Sequence, residues 1–554
     1  MEPNGELVRR YCLDNAVEHG GKANARSVLS KLLGDHPELR SNVLQLKSAV
    51  EDTTEKVNVL SHDTQKKQLS ELGTIERREK VERKGLPELP RAKKGEFIVR
   101  FAPNPDGTLH VGGARPAILN YEYAEKYNGK FFLRFDDTDP SGTLKSPKKE
   151  FYKMMIDDLK WLGVKPDAIF YASKRLAIYY KHAEEAIRVG AAYVCTCPSE
   201  NWKKKRSKSQ ACDCRGASSA DNMKKWKDML KNKYKKGHAV LRVKTDLEHR
   251  NPAVRDWVAF RIIDKPVHPL VKGKHVWPTY NFQSAIDDHL LGVTHILRGQ
   301  EHSTNEVKQQ FLYEWLKWEY PVTVLLGRFS MTDCVLSKST IAEGIARGEY
   351  SGWDDLRLGT IRTLKRKGIQ SAALREMIMD IGSKPSDITI SLENLAAYNR
   401  RAIDSIAKRF FFVKDPVEIV VENPLKRSAE LKMHPDKKLG KRQFKLGKKF
   451  FIESEDFDRY KGMEVRLKDL YNIKLERESK ATSVENNNTP KIHWVPQDAY
   501  IQVRVLESKN IIEGIGETNL KKLKPGDIIQ FERFGFCRVE KVQPKAVVVV
   551  MSHT

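Results

Sequence analysis

Long apolar stretches are missing from this 554-residue chain. It has no run of about 18 apolar residues, so the sequence predicts no transmembrane helix. The first 30 residues also lack the apolar h-region of a signal peptide. These two absences predict a soluble, cytoplasmic protein that does not bind a membrane.

Cysteine is scarce as well. The chain has seven cysteines, an odd number, so a secreted disulfide framework is not expected and a reducing compartment is. Four of them, Cys195, Cys197, Cys212 and Cys214, form two short C-x-C segments. Four thiolates from two such segments suit a tetrahedral zinc ion, and the alternative is four reduced thiols with a structural role only.

Acidic residues are in the minority. Asp and Glu number 73 against 99 Lys and Arg, which leaves a net charge of +26. An excess this large favours an anionic partner, and nucleic acid is the first candidate. The alternative is a basic, solvated surface without a specific partner.

Neither the G-x-G-x-x-G fingerprint nor the P-loop is present, and no repeat of solenoid period occurs. Two apolar runs, Phe97–Phe101 and Phe131–Phe135, instead flank a segment of helical composition from Ala114 to Tyr127. This pattern predicts a βαβ unit within a parallel sheet. Ligands bind beyond the carboxyl ends of such strands, so residues 103–113 and 136–140 are expected at the site.

The C-terminal part has a different pattern of apolar residues. Short β-branched runs, such as Val417–Val421, Tyr500–Val505, Ile528–Phe531 and Ala546–Val550, predict an all-β region. Residues Glu476–Pro490, with three consecutive asparagines, predict a flexible loop.

The loop after the first strand carries His110, Gly112 and Gly113. Glycine lets the backbone approach a ligand closely, and free N–H groups at a helix N-terminus can receive a phosphate. The pattern therefore indicates an anion site to which His110 adds a hydrogen bond. The alternative is a turn with a capping histidine.

Residues Arg100–Arg115 resemble the first signature, H-I-G-H, of the class I aminoacyl-tRNA synthetases. The lead-in R-F-A-P-N-P-D-G is similar to that of the glutamyl branch. The fourth signature position is Gly113 instead of histidine, which is expected to weaken one phosphate contact. Val335–Ser339 is similar to the second signature, K-M-S-K-S, and its flanking residues resemble the same family.

This resemblance implies a set of site residues. His110 and Lys338 are implied as catalytic residues, with Lys338 neutralising charge on pyrophosphate as it leaves. The implied ATP-binding residues are Pro103, His110, Gly112, Gly113, Ser337, Lys338 and Ser339. The implied glutamate-binding residues are Arg100, Asn104, Asp136 for the α-ammonium group, Tyr280 and Arg298.

Arg298 is expected to set specificity. In the resemblance it faces the amino-acid side chain, and a guanidinium, which offers only donors, pairs with a carboxylate but cannot satisfy the NH₂ of an amide. One alternative is the glutaminyl branch, which is expected to lack this arginine. The other is a non-catalytic tRNA-binding paralogue, which is expected to have lost Lys338 or Asp136; both are present.

The resemblance also implies a multidomain α/β plus β fold of the archaeal and eukaryotic branch. The expected parts are a helical extension over residues 1–83, a linker over 84–95, a Rossmann-like catalytic domain over 96–345 with an acceptor-end-binding subdomain inserted at about 190–250, a helical connective domain over 346–412, and anticodon-binding β-barrels over 413–554. ATP, L-glutamate and tRNA(Glu) are the implied partners, and tRNA(Gln) is left open. Mg²⁺ is expected on the ATP phosphates rather than in a dedicated cage.

Overall fold

The computed structural model describes residues 5–36, 39, 43–73 and 85–554. By internal contacts the chain divides into two compact units, residues 1–84 and 85–554. Residues 1–4, 37, 38, 40–42 and 74–83 of the predicted N-terminal extension, and residue 84 of the predicted linker, lie outside the described residues. No helix in the described ranges is long and apolar enough to cross a membrane.

The helices and strands are numbered in chain order. The helices are α1 (Gly5–Glu18), α2 (Ala25–Asp35), α3 (Val43–Asn58), α4 (His62–Leu72), α5 (Val111–Lys126), α6 (Lys149–Trp161), α7 (Leu176–Arg188), α8 (Ser199–Ser207), α9 (Ser219–Leu230), α10 (Tyr280–Leu290), α11 (Ser303–Leu316), α12 (Lys338–Ala346), α13 (Ile361–Arg366), α14 (Ser371–Ile381), α15 (Leu392–Ile403) and α16 (Ser454–Tyr460). The strands are β1 (Ile98–Phe101), β2 (Lys130–Phe135), β3 (Ala168–Tyr171), β4 (Ala192–Cys195), β5 (Val240–Val243), β6 (Val258–Ile262), β7 (Val276–Pro278), β8 (His295–Gly299), β9 (Val322–Leu326), β10 (Phe329–Met331), β11 (Ile388–Ile390), β12 (Lys408–Phe410), β13 (Phe412–Lys414), β14 (Pro416–Val421), β15 (Ser428–Lys432), β16 (Lys441–Lys445), β17 (Lys449–Glu453), β18 (Glu464–Leu467), β19 (Tyr471–Lys474), β20 (Glu478–Ser483), β21 (Lys491–Ile492), β22 (Val495–Pro496), β23 (Tyr500–Leu506), β24 (Ile511–Glu517), β25 (Ile528–Phe531), β26 (Gly535–Val542) and β27 (Ala546–His553).

The N-terminal unit is helical, as predicted. Helices α1 to α4 bury one apolar stripe each, and their common core includes Val8, Leu13, Val28, Leu32 and Val50. The side chains of Asn24 and Ser61 cap α2 and α4 by accepting hydrogen bonds from backbone N–H groups three residues ahead.

The predicted βαβ unit is confirmed. Strand β1 pairs in parallel with β2, and β2 with β3, while α5 connects the first two strands. Both strands are buried almost throughout, which explains their uninterrupted apolar runs. Helix α5 begins at Val111, three residues before the predicted Ala114, so the signature glycines form its first turn.

A second parallel pair, β8 and β9, extends this core. The Thr294 N–H donates to the Ile98 carbonyl at 2.9 Å, and the Ile98 N–H donates to Thr294 Oγ1 at 3.0 Å. These bonds place the start of β8 beside the start of β1. The carboxyl ends of β1 and β8 therefore lie at the same edge.

An antiparallel sheet of β4, β5, β6 and β7 interrupts the core. Helices α7 and α9 cover it, with Trp226, Phe260 and Trp277 fully buried between them. The four clustered cysteines lie at the end of β4 and in the segment that follows α8.

The predicted C-terminal β-barrels are confirmed as two seven-stranded sheets. In the first, the middle barrel, β21 and β22 are the edge strands and only His493 and Trp494 separate them. In the second, the C-terminal barrel, the edges are β12 and β13, separated only by Phe411. In each sheet the two edge strands follow each other directly in one short segment. This segment therefore joins the two edges and closes the sheet into a barrel.

The prediction of a flexible loop over Glu476–Pro490 was wrong for its first half. Strand β20 occupies Glu478–Ser483 and pairs with β19 and β14 of the middle barrel. Its inward-facing residues are the small Ser479 and Ala481, so the strand lacks the bulky apolar alternation that sequence reasoning looks for.

Candidate active site

A cavity of about 380 Å³ lies beyond the carboxyl ends of β1 and β8. Four of the predicted ATP-binding residues line it, although about 225 residues separate the two signatures: His110, Gly112, Ser337 and Lys338. The rest of its wall is formed by Arg115, Pro116, Gly299, Glu301, Leu326, Gly327, Arg328, Phe329 and Leu336.

Two of the wall residues have positions that sequence reasoning left unassigned. The buried Arg115 guanidinium donates to the carbonyls of Gly327 at 2.6 Å and of Gly382 and Lys384 at 2.9 Å, and thereby ties two loops to α5. Arg328 lies in the cavity wall and contributes to the potential at His110.

The second signature loop is held against the first. Ser337 caps α12 by accepting a hydrogen bond from the Thr340 N–H, so Lys338 is the first residue of this helix. The Lys338 ammonium donates to Asp106 Oδ1 at 2.8 Å and to the Asn104 carbonyl at 3.1 Å. The predicted catalytic lysine is therefore aimed at the loop that follows β1.

Backbone hydrogen bonds fix this arrangement. The Gly359 N–H donates to the Val335 carbonyl at 2.9 Å, and the Val111 N–H donates to the Gly359 carbonyl at 3.0 Å. The segment preceding Ser337 and the start of α5 are thus joined through Gly359.

The two signature glycines differ in their surroundings. A Cβ at Gly112 would lie 2.8 Å from the Phe329 carbonyl oxygen, too close for any side chain. A Cβ at Gly113 would have Leu109 Cδ2 as its nearest neighbour at 3.7 Å, an ordinary contact. Close backbone packing requires glycine at position 112 but not at position 113.

His110 is the N-cap residue of α5, but its side chain makes no capping hydrogen bond. Its Nδ1 is buried and has no hydrogen-bond partner among the described residues. Burial, with the positive charges of Lys338 and Arg328, lowers the pKa of His110 to about 4. The imidazole is therefore uncharged at neutral pH and can offer one N–H donor to an anion.

A buried ionic network lies behind the carboxyl end of β2. Asp288 accepts hydrogen bonds from Arg100 Nε at 2.9 Å and Nη2 at 3.1 Å, and from Arg134 Nη1 at 2.6 Å. Arg134 also donates to Asp136 Oδ1 from Nε at 2.7 Å. The predicted residues Arg100 and Asp136 are thus connected through Arg134 and Asp288.

The pKa values of the two carboxyl groups in this network are shifted in opposite directions. Burial raises the pKa of Asp288, but Arg100 and Arg134 outweigh burial and bring that pKa down to about 2. The pKa of Asp136 is raised, because the effect of burial is larger than the opposite effect of the Arg134 charge. A cationic group brought next to Asp136 would favour its charged form.

Sequence reasoning did not assign Arg134, Asp287 or Asp288. Asp287 accepts hydrogen bonds from Arg175 Nε at 2.7 Å and the Tyr179 hydroxyl at 2.6 Å. A charged residue inside an apolar strand, as Arg134 is within Phe131–Phe135, was the available signal, because a buried charge needs a partner.

Tyr280 and Arg298 meet near His302. The Tyr280 and His302 rings are 5.7 Å apart, and the charges of Arg298 and Arg100 both act on His302. Arg298 is 5 % exposed and lies on β8, one residue before the cavity-lining Gly299. Arg100, Tyr280 and Arg298, three of the residues predicted to hold glutamate, therefore lie around His302 next to the cavity.

The remaining predicted residues lie outside the cavity wall, either in the loop after β1 or in the first turns of α5 and α12. The Pro103 carbonyl accepts a hydrogen bond from the Asp136 N–H at 3.1 Å, and Asn104 Nδ2 donates to the Lys145 carbonyl at 2.7 Å. Ser339 is 3.1 Å from Ser337 through their hydroxyls, and Gly113 follows Gly112 in the first turn of α5.

The four cysteine sulfurs lie within 4.8 Å of one another, and among the described residues they form the one group with the spacing of a metal site. Cys195 and Cys212 are 3.8 Å apart and Cys197 and Cys214 are 3.7 Å apart. A tetrahedral zinc with bonds of about 2.3 Å requires sulfur–sulfur distances of roughly 3.8 Å, so the group can hold a metal. The hydrogen bond from Cys195 is the main cause that lowers the pKa of Cys212 to about 5.

The chain has a parallel core in which the loop after β1 and the lysine-bearing loop enclose one cavity, and two β-barrels follow this core. This is the fold of a class I aminoacyl-tRNA synthetase. Comparison with known families agrees. The family described as "tRNA synthetases class I (E and Q), catalytic domain" matches residues 96–405, and its two anti-codon binding domain models match residues 407–494 and 491–540. The chain belongs to this family.

Curated relatives match over nearly the whole chain. "Glutamate--tRNA ligase" of Pyrococcus furiosus is 49% identical, and "Glutamate--tRNA ligase" of Pyrococcus abyssi is also 49% identical; each match covers 99% of this chain and 99% of the relative. A crystal structure of a glutamate tRNA ligase from Elizabethkingia meningosepticum is 22% identical, covers 55% of this chain and 69% of that chain, and has a TM-score of 0.40. The resemblance drawn from the signatures is confirmed by the family match.

Proposed function

We propose that this protein is a glutamate–tRNA ligase, which attaches L-glutamate to tRNA(Glu) at the expense of ATP. The observation that carries the choice between glutamate and glutamine is Arg298, a buried guanidinium beside the proposed amino-acid pocket. Its donors can be satisfied by a carboxylate and not by an amide NH₂. The names of the full-length relatives support the same choice.

The first step is activation of glutamate. The α-carboxylate attacks the α-phosphorus of ATP, a bond from carboxylate oxygen to phosphorus forms, and the bond to the bridging oxygen breaks as pyrophosphate leaves. The uncharged His110 donates to a phosphate oxygen, and Lys338 compensates the charge that develops on the leaving group. Pro103, Gly112, Gly113, Ser337 and Ser339 shape the loops around ATP.

The second step transfers the glutamyl group. A ribose hydroxyl of the terminal adenosine attacks the carbonyl carbon of glutamyl-adenylate, and AMP leaves. The two ends of the tRNA bind different parts of the chain. We assign the acceptor end to the basic insert at about 190–250 and the anticodon to the barrels at 413–554.

Glutamate is held by Arg100, Asn104, Asp136, Tyr280 and Arg298. Asp136 takes the α-ammonium group, which favours its charged form against burial. Arg100 and Arg134 are fixed by Asp288, so the amino-acid site is organised before the substrate arrives.

The remaining domain boundaries are an extension over 1–83, a linker over 84–95, a catalytic domain over 96–345 and a connective domain over 346–412. The enzyme acts in the cytoplasm. Mg²⁺ reaches the site on the ATP phosphates. Cys195, Cys197, Cys212 and Cys214 would hold a Zn²⁺ ion that fixes the insert, in agreement with their sulfur–sulfur distances.

The test is ATP-dependent charging of tRNA(Glu) and tRNA(Gln) transcripts with labelled glutamate and, separately, labelled glutamine. We expect glutamate on tRNA(Glu), with activity lost in Lys338→Ala and Arg298→Ala. Glutamine charging would favour the glutaminyl alternative. Binding of tRNA without charging by either amino acid would favour a non-catalytic tRNA-binding protein. Glutamate on tRNA(Gln) as well would broaden the tRNA specificity.

A further inference from the structure

The Arg298 guanidinium is held by two side chains from outside its own strand. Arg298 Nη1 donates to Gln309 Oε1 at 3.0 Å, and Nη2 donates to the Tyr320 hydroxyl oxygen at 3.1 Å. Gln309 belongs to α11 and Tyr320 follows that helix, so both acceptors come from the connection between β8 and β9.

These two acceptors occupy one side of the guanidinium. The Tyr320 hydroxyl donates to Gln309 Oε1 at 2.8 Å, so the two oxygens are neighbours. The guanidinium has the shape of a fork whose end is formed by the two terminal nitrogens, Nη1 and Nη2. Two adjacent oxygens that each accept from one of these nitrogens must lie across this end, where a bidentate carboxylate could otherwise bind. The end of the Arg298 fork is therefore already occupied by the protein.

The other edge of the guanidinium, formed by Nε and Nη2, has an N–H group that no acceptor in the described part of the chain satisfies. Arg298 Nε is buried and has no hydrogen-bond partner among the described residues. The nearest carboxylate, on Glu306, lies 3.7 Å from Nη2, too far for a hydrogen bond. A buried N–H without a partner is costly, so an acceptor on the Nε edge would be favoured.

We propose that Gln309 and Tyr320 are positioning residues that hold the end of the Arg298 fork and leave the Nε and Nη2 edge for the substrate carboxylate. This inference rests on the proposed function, because it concerns how the glutamate side chain is recognised. Gln309 and Tyr320 do not touch the substrate; they restrict the guanidinium to one orientation and one free edge.

Gln309 and Tyr320, which together form a clamp on Arg298, are themselves held in place by neighbouring residues. Gln309 is fully buried and its Nε2 donates to the Asn281 carbonyl at 3.5 Å, next to Tyr280. Burial raises the pKa of Tyr320 to about 12, which keeps its hydroxyl protonated as the donor to Gln309. The Tyr313 ring packs edge-on against the Tyr320 ring, with centroids 4.8 Å apart, and limits its movement.

The test compares Tyr320→Phe with Tyr313→Phe in steady-state charging of tRNA(Glu). Tyr313 is a matched control, because its buried hydroxyl donates to the Ala285 carbonyl at 2.9 Å and does not contact Arg298. We expect Tyr320→Phe to raise the KM for glutamate about tenfold, the loss of roughly one hydrogen bond to a charged group, with the KM for ATP unchanged. Tyr313→Phe should leave the KM for glutamate within about twofold of the wild type.

Gln309→Met is the second variant, since it keeps the length of the side chain but accepts no strong hydrogen bond. It should raise the KM for glutamate at least as much as Tyr320→Phe and should lower the ratio of kcat/KM for glutamate over glutamine. A merely structural role would instead raise the KM for both glutamate and ATP, lower kcat, or reduce the Tm.

Three results would overturn the proposal. An unchanged KM for glutamate in both variants would mean that the clamp does not position Arg298. A lower KM in Tyr320→Phe would mean that the substrate binds at the end of the fork, which the hydroxyl obstructs. If the wild-type protein charges no glutamate at all, the proposed function fails and this inference fails with it.

Discussion

Asp288 is an acceptor that two buried guanidinium groups share. Both Arg100 and Arg134 donate to it, and all three side chains are at most 3 % exposed. Replacing Asp288 by asparagine would remove the negative charge and leave two buried cations close together. The cost of breaking a buried pair in this way is about 3–5 kcal/mol.

We therefore expect Asp288→Asn to lower the Tm by roughly 5–10 °C and to abolish glutamate charging. Differential scanning calorimetry and charging assays measure the two effects. Asp157→Asn is the matched control, because Asp157 pairs with Lys153 on the exposed face of α6. A Tm for Asp288→Asn as high as that of the control would contradict a central role for the network.

His110 gives a prediction about pH. Its pKa is about 4 in the folded chain, against an ordinary value near 6.5 in the unfolded chain. The unfolded state therefore binds the proton first, and His110 makes the fold less stable as the pH falls from 6.5 towards 4. In His110→Gln this loss of stability should be smaller, as measured by Tm at several pH values.

The same pKa predicts the activity profile of this variant. Since His110 is neutral above pH 6, the ratio of wild-type to His110→Gln charging rates should stay constant between pH 6 and 8. Glutamine retains an uncharged N–H donor, so this variant should be more active than His110→Ala, for which a loss of about 10²-fold is expected. A ratio that changes near pH 6.5 would show that the imidazole titrates there.

At the scale of elements, the first turn of α5 offers a pair of neighbouring glycines in different surroundings. Gly112→Ala would force its Cβ to 2.8 Å from the Phe329 carbonyl and displace β10 or the helix start. Gly113→Ala has room, and alanine favours the helix.

We expect Gly112→Ala to lower the charging rate about 10²-fold, because a displaced helix start misplaces His110. Gly113→Ala should keep nearly full activity and the same or a slightly higher Tm. Rates and Tm values for the two variants decide this, and equal damage at both positions would contradict the packing argument.

The cysteine cluster is the second element-scale feature. It joins the end of β4 to the segment after α8, where Tyr193 and Trp202 pack against the cysteines. We expect about one zinc ion per chain by mass spectrometry, lost in Cys197→Ser and Cys214→Ser but kept in Cys334→Ser, whose thiol lies outside the cluster. Chelation should raise the KM for tRNA, and a chain free of zinc after growth in zinc-supplemented medium would contradict the assignment.

At the scale of the whole molecule, the two barrels are held together where each is closed. Phe411 from one closing segment stacks on His493 from the other, with ring centroids 4.7 Å apart. The buried Arg442 lies on β16, which pairs with β15 in a separate two-stranded sheet, and it forms an ion pair of 2.8 Å with Glu517 of the C-terminal barrel. The relative placement of the barrels is thus set by an aromatic contact between their closing segments and by a buried ion pair, whose Arg442 guanidinium lies over the Phe411 ring.

Arg533 adds a bidentate pair between the barrels, at 2.7 and 2.8 Å from the two oxygens of the buried Asp456. Arg533→Ala would leave that carboxylate without its partner. We expect it to raise the KM for tRNA several-fold while the KM for glutamate stays unchanged, because the active site is not involved. Arg504→Ala, which breaks an exposed pair with Glu513, is the matched control and should change neither value.

How much was predictable varies with the kind of feature. The βαβ unit, the two signature loops and four of the barrel strands, β14, β23, β25 and β27, carry local patterns of apolar residues and turns, and the structure has them. Strand β20 carries no such pattern, because its buried side chains are small. The start of α5 was missed because glycines disfavour a helix locally, and tertiary hydrogen bonds override that preference.

The sequence by itself determined the family, the catalytic core and the signature residues, because their local chemistry is distinctive. Only the tertiary structure decided which charges are buried and with which partners, as with Asp288 between Arg100 and Arg134 or Gln309 and Tyr320 on Arg298. Charged and polar side chains look alike along a chain. Their roles depend on distances between residues far apart in sequence, which only folding sets.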